Sequence, residues 1–208
     1  MCLGANLGDA VFLAADSRPT MSSGERVDDV QKLVKITDTL WSAGAGTLSL
    51  TAYLQAVLAE RQPANVVAYL QTIQPFSQKT LEAHIELYDT LAGEPGHADY
   101  TGATVMSVPL VGGFDPDSGG MSLFGFASGD RFETRLWRDD GVHRWTPGRS
   151  AVGLLLLATA FASGAPTPEG VADACRLALQ EVAKVNPEIG PAGHVVIVSR
   201  TGAELRPF

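Results

Sequence analysis

The stretch from residue 10 to residue 46 constrains this chain more than any other, because strand-like segments there end in charge. AVFLAA (10–15) is apolar on both alternating faces, the pattern of a strand covered on both sides, and it runs straight into Asp16-Ser17-Arg18. Lys32 opens a second apolar run, and Ala43-Gly44-Ala45-Gly46 closes a third. This order puts a carboxylate, a guanidinium and an ammonium at the ends of neighbouring strands, beside backbone with almost no side chain. Such a grouping can activate a nucleophile and hold an oxyanion. Ion pairs at strand ends are more often only structural. Spacing alone leaves both readings open.

The rest of the pattern predicts two β-rich blocks, each followed by helices. Strands over 3–7 and 10–15 flank Gly8-Asp9, and strands over 33–37 and 40–45 flank Asp38-Thr39, so each pair forms a hairpin. A helix over about 49–62 carries Leu50, Tyr53, Leu54, Val57 and Leu58 on one stripe. Pro63 ends it, a short helical piece spans 64–73 before Pro75, and Ser77 caps a further helix ended by Gly93. After a Gly/Pro-rich loop at 92–102, strands are predicted over 103–112, 121–127 and 131–138. Pro109 cannot donate to a ladder and implies an edge or a bulge. Helices over about 150–163 and 168–184 follow, the second with Thr167 as cap and Pro168 at its first position. A strand from His194 to Ser199 and a last short strand close the chain. This order predicts two stacked sheets between helical layers. With no internal repeat, residues 1–208 read as a single domain.

Composition narrows the function classes. A chain of 208 residues with 45% apolar residues can bury one substantial core. Only 18% of residues are charged and the net charge is −8, which argues against nucleic acid or an anionic membrane as partner. Two cysteines cannot build a disulfide scaffold, which either fits a cytoplasmic location or carries no information on compartment. The opening MCLGANLGDAVFLAADSR lacks a basic segment followed by a long apolar one, so it reads as a strand and not as a signal peptide. The most apolar run, 151–162, is too short to span a bilayer and reads as a buried helix. His84, His97, His143 and His194 are scattered without metal-ligand spacing, so neither metal nor cofactor is expected. Cys175 falls on the apolar stripe of its helix and reads as core.

The order of residues resembles the proteasome-type branch of the N-terminal-nucleophile hydrolases. That family carries a strand with "GVVLAAD-x-R-x-T", then "QK-(I/L)-x-x-I", then a glycine at a strand end that leads into a helix. The corresponding residues here are Ala10 to Thr20, Gln31 to Ile36, and Ala45-Gly46. Leu110-Val111-Gly112-Gly113-Phe114-Asp115 and Met121-Ser122-Leu123-Phe124-Gly125 look like two later strands of the same family. The resemblance covers nearly the whole chain.

It implies an α+β fold, a four-layer αββα sandwich of proteasome type, with hydrolysis of amide or peptide bonds and a peptide substrate. It also implies self-association into a ring or a smaller homo-oligomer. Among site residues it implies Asp16 holding Lys32, Lys32 tuning the nucleophile and Gly46 N–H facing the oxyanion, with Arg18 in support. The family attacks with the first residue of its mature chain, and a gapless superposition puts that position just ahead of Met1. Shortening the first hairpin by two residues would bring Cys2 there instead. Downstream, Arg149 stands where the family has a serine, and Asn186 and Ile189 replace an aspartate and a serine. Two function classes follow: a hydrolase using Cys2, Asp16, Lys32 and Gly46, or a catalytically inactive assembly or binding protein that kept the ion pairs.

Overall fold

A strand whose two faces are both apolar must lie inside the molecule, and β2 (Ala10–Asp16) does, with all its residues buried. The computed structural model describes residues 1–19, 30–92, 94, 102–137 and 167–208. Along the chain come β1 (Cys2–Asn6), β2, β3 (Leu33–Thr37), β4 (Leu40–Gly46), α1 (Leu48–Arg61) and α2 (Val66–Leu91). They are followed by β5 (Ser107–Asp115), β6 (Gly120–Phe126), β7 (Thr134–Trp137), α3 (Pro168–Val185), β8 (Gly193–Ser199) and β9 (Gly202–Pro207). The strands form two antiparallel sheets, β1-β2-β8-β9 and β3-β4-β5-β6-β7.

Alternate residues of a strand point to opposite faces. In β2, Phe12 and Ala14 therefore pack against α3 with Leu3, Val171, Cys175 and Leu179. Val11, Leu13 and Ala15 turn the other way, onto Leu33, Ala43, Leu110 and Leu123 of the second sheet. The far face of that sheet is covered by Leu50, Leu54 and Leu58 of α1 and by Leu70, Ile73 and Leu81 of α2. Each such leucine contributes about 1.5–3 kcal/mol through burial.

The four-layer αββα sandwich of proteasome type is corrected by this arrangement. The described residues give a mixed structure of two antiparallel sheets, four- and five-stranded, with three α-helices. Among the described residues, one sheet packs against α1 and α2 and the other against α3. The helix predicted over 150–163 lies outside the described residues. The helices predicted on either side of Pro75 are one continuous α2, with Pro75 inside it. An interior proline costs a helix about 3 kcal/mol, which burial of Leu70, Ile73, Ser77 and Leu81 on either side offsets. Ser77 is therefore no cap: its hydroxyl donates to the Ile73 carbonyl at 2.9 Å. The cap is Asn65, whose side chain accepts from Ala68 N–H at 2.8 Å.

β5 lies between β4 and β6, but its pairing with β6 begins only at Leu110, so Pro109 stands at a local edge as its chemistry predicts, with no bulge in its pairing to β4. Thr47 N–H bonds to Met106 O, and pairing continues unshifted through Ala45↔Val108 and Gly44↔Pro109. Bonded and non-bonded pairs alternate in an antiparallel ladder, so the nitrogen of Pro109 faces away from β4. On that side β6 pairs only from Leu110 onward, and no ladder bond is lost. No described helix is long and apolar enough to cross a membrane.

Candidate functional site

The charged residues at the strand ends come together as one cluster bridging the two sheets. Asp16, the last residue of β2, is fully buried. Its Oδ1 accepts from Lys32 Nζ at 2.9 Å and from the α-amine of Met1. Its Oδ2 accepts the N–H of Arg18 and the N–H of Gly190, each at 3.1 Å. Burial alone would raise the pKa of this carboxyl. The Met1 ammonium and the Lys32 ammonium outweigh that and hold it below the ordinary carboxylate value.

Lys32 enters the cluster from the second sheet, just before β3. Its Nζ also donates to the Arg18 carbonyl at 2.5 Å. Arg18 Nη1 reaches across to the carbonyls of Pro187 (3.0 Å) and Ile189 (3.4 Å), tying the end of β2 to the loop after α3. Arg18 thus braces the end of β2 against that loop.

Gly46 ends β4 with φ +107, a conformation that favours glycine, and an added Cβ would lie 2.4 Å from Met106 O. The same alternation that frees the nitrogen of Pro109 turns the Gly46 N–H away from β5. On the side it faces, β3 pairs with β4 only as far as Leu33↔Ala43, extended by Gly44 N–H to Lys32 O at 3.2 Å. Helix α1 begins two residues on, so the positive end of its dipole adds to this donor. A cation, a buried carboxylate and an outward backbone N–H are what amide hydrolysis by an activated nucleophile needs around the nucleophile itself.

Cys2 lies between the sheets and not at the strand end beside Lys32. The Gly8-Asp9 hairpin keeps its length, with Leu7 N–H on Ala10 O and Cys2 opposite Ala15. Cys2 therefore sits in the core between the sheets, fully buried, with Sγ 3.8 Å from Val108 O. Burial pushes its thiol up to about 11, although the Met1 ammonium and Lys32 pull the other way. A nucleophilic thiol needs the opposite shift. Asn186 is not in the cluster either. It is the C-terminal cap of α3, and its Oδ1 accepts from Glu188 N–H at 3.0 Å. Ile189 packs into the core beside α3, and Arg149 lies outside the described residues.

Sequence reasoning missed Thr51 and Gln55. Both are buried on α1, on the stripe of Leu50, Leu54 and Leu58, while Tyr53 is exposed. Gln55 Nε2 donates to the Lys32 carbonyl at 3.1 Å, and Thr51 Oγ1 donates to the Ala45 carbonyl at 3.2 Å. Two polar residues, four apart, on an otherwise apolar stripe were the available signal. Among the described residues no group of three or more His, Cys, Asp or Glu could hold a metal. Comparison of the chain with protein-family models and with curated proteins returned no match.

Proposed function

We propose that this chain is a homologue of the N-terminal-nucleophile hydrolases that acts on amide or peptide bonds at the Asp16–Lys32–Gly46 cluster. The observation that carries this reading is Lys32 held on a fully buried Asp16, at a strand end shared with an outward Gly46 N–H. In such chemistry a hydroxyl or thiol on the first residue of the mature protein attacks the carbonyl. Met1 carries neither, so the reading requires a different first residue in the mature protein. Its α-amine takes the proton, Lys32 favours the neutral amine, and the Gly46 N–H receives the oxyanion.

A second reading, a catalytically inactive assembly or binding protein, is favoured by one specific observation: the only thiol at this end of the chain is buried away from the cluster. Both readings go with self-association. Leu48, Tyr53, Phe76 and Met106 are large apolar residues left exposed on or next to the outer helices.

Intact mass of the natural protein, with and without an electrophilic peptide probe, separates the two. The hydrolase reading expects one adduct on the first residue, abolished by Lys32→Ala. Absence of both adduct and turnover across a peptide library would overturn it in favour of the second reading.

A further inference from the structure

Thr51 and Gln55 are each 4% exposed, so their polar atoms must find partners inside the protein. The single hydroxyl hydrogen of Thr51 goes to the Ala45 carbonyl. Ser107 Oγ lies 2.9 Å from Thr51 Oγ1 and must then be the donor, which makes a relay from Ser107 through Thr51 to Ala45. The Ala45 carbonyl and the Gly46 N–H are opposite ends of one planar peptide unit. That oxygen already faces β5 in the bonded Ala45↔Val108 pair, so Thr51 adds a second donor that steadies the peptide plane and further polarises the N–H. Gln55 treats Lys32 similarly. Its amide holds the Lys32 carbonyl at 3.1 Å while also touching Ser42 O at 3.4 Å and Ser42 Oγ at 3.3 Å. One turn of one helix thus grips both the peptide that presents Gly46 N–H and the backbone that carries the cation.

We propose that Thr51 and Gln55 are positioning residues of the site, Thr51 aiming the Gly46 N–H and Gln55 setting where Lys32 leaves the backbone. The catalytic meaning of this rests on the hydrolase reading, but the positioning itself can be measured without turnover.

The test uses the full chain, labelled with nitrogen-15, in wild-type, Thr51→Val, Thr51→Ser and Gln55→Met forms. In Thr51→Val the Gly46 amide proton should move upfield, and Thr51→Ser, which keeps the hydroxyl, should leave it near its wild-type position. In Gln55→Met, acylation of Lys32 by an activated ester should quicken about fivefold, the worth of one lost hydrogen bond. Exposed Lys79 on α2 serves as the unchanged reference. A Gly46 amide that stays put in folded Thr51→Val, or unchanged Lys32 acylation in folded Gln55→Met, overturns the proposal. If Thr51→Val does not fold, the Gln55→Met result decides. Both readouts moving in a protein that cleaves no amide would uphold the positioning and sink the hydrolase reading. In a wild type that turns over substrate, an unaltered kcat in Thr51→Val would overturn the positioning instead.

Discussion

Asp16→Asn should be among the most damaging single changes this protein can carry, although it preserves volume and shape. The carboxylate accepts two cationic donors at Oδ1 and two backbone N–H groups at Oδ2. An amide has one accepting end and one donating end. With its oxygen toward Lys32 and Met1, its NH2 group meets the N–H groups of Arg18 and Gly190. Turned over, that group meets two ammonium ions. Either way donors face donors, and two positive charges lose their counterion where the Lys32 side chain is only 12% exposed. Removing one partner of a buried ion pair costs about 3–5 kcal/mol. With a urea m-value of about 2 kcal/mol/M, the unfolding midpoint at neutral pH should fall by about 1.5–2.5 M. Equilibrium urea unfolding followed by tryptophan fluorescence reads this directly. Adding Lys32→Met removes one stranded charge, so the double variant should lose less than the two single losses added together. A fall below about 0.5 M, which is about 1 kcal/mol, or strict additivity in the double variant, would refute Asp16 as the hub.

Three further outcomes follow from the same geometry. The pKa of Asp16 is raised by burial but lowered more by the Met1 and Lys32 ammonium groups, so it ends below 3.8. A depressed carboxyl stabilises the fold above its unfolded pKa and loses that contribution as pH falls through its folded value. The urea midpoint of the wild type should therefore drop below about pH 4 more steeply than that of Asp16→Asn, and parallel curves would contradict the shift. Burial pushes Cys2 to about 11 and Cys175 to about 12, so an aromatic disulfide reagent at neutral pH should label neither until urea is added. Fast labelling of Cys2 in the folded protein would reopen it as a nucleophile. In Gly44→Ala the new Cβ would lie 2.4 Å from Thr51 Cγ2 and should cost about 1–3 kcal/mol by overpacking. Thr51→Ser removes that methyl and should recover part of the loss, which chemical denaturation of the double variant will show.

Local pattern in the sequence was enough for the strands and hairpins that flank the cluster. The apolar run at 10–15 becomes the fully buried β2, and 33–37 and 40–45 fall where β3 and β4 form, with β4 reaching Gly46. The grouping of Asp16, Arg18 and Lys32 at strand ends was legible for the same reason, since an apolar run that stops at a charge marks where a strand leaves the core. Three things were not local. A proline reads as a helix breaker, yet contacts along one face of α2 outweigh it at Pro75. A cysteine near the start of a chain is a candidate nucleophile until the hairpin register seats it opposite Ala15, between two sheets. The family resemblance matched Asn186 to a supporting aspartate, whereas Oδ2 of Asp16 takes the N–H of Gly190 from the same loop. The supporting bonds from Thr51 and Gln55 link α1 to carbonyls 6 and 23 residues away. Periodicity reports which face of an element is buried, but only the packing of α1 on β4 reveals which backbone groups two buried polar side chains must satisfy.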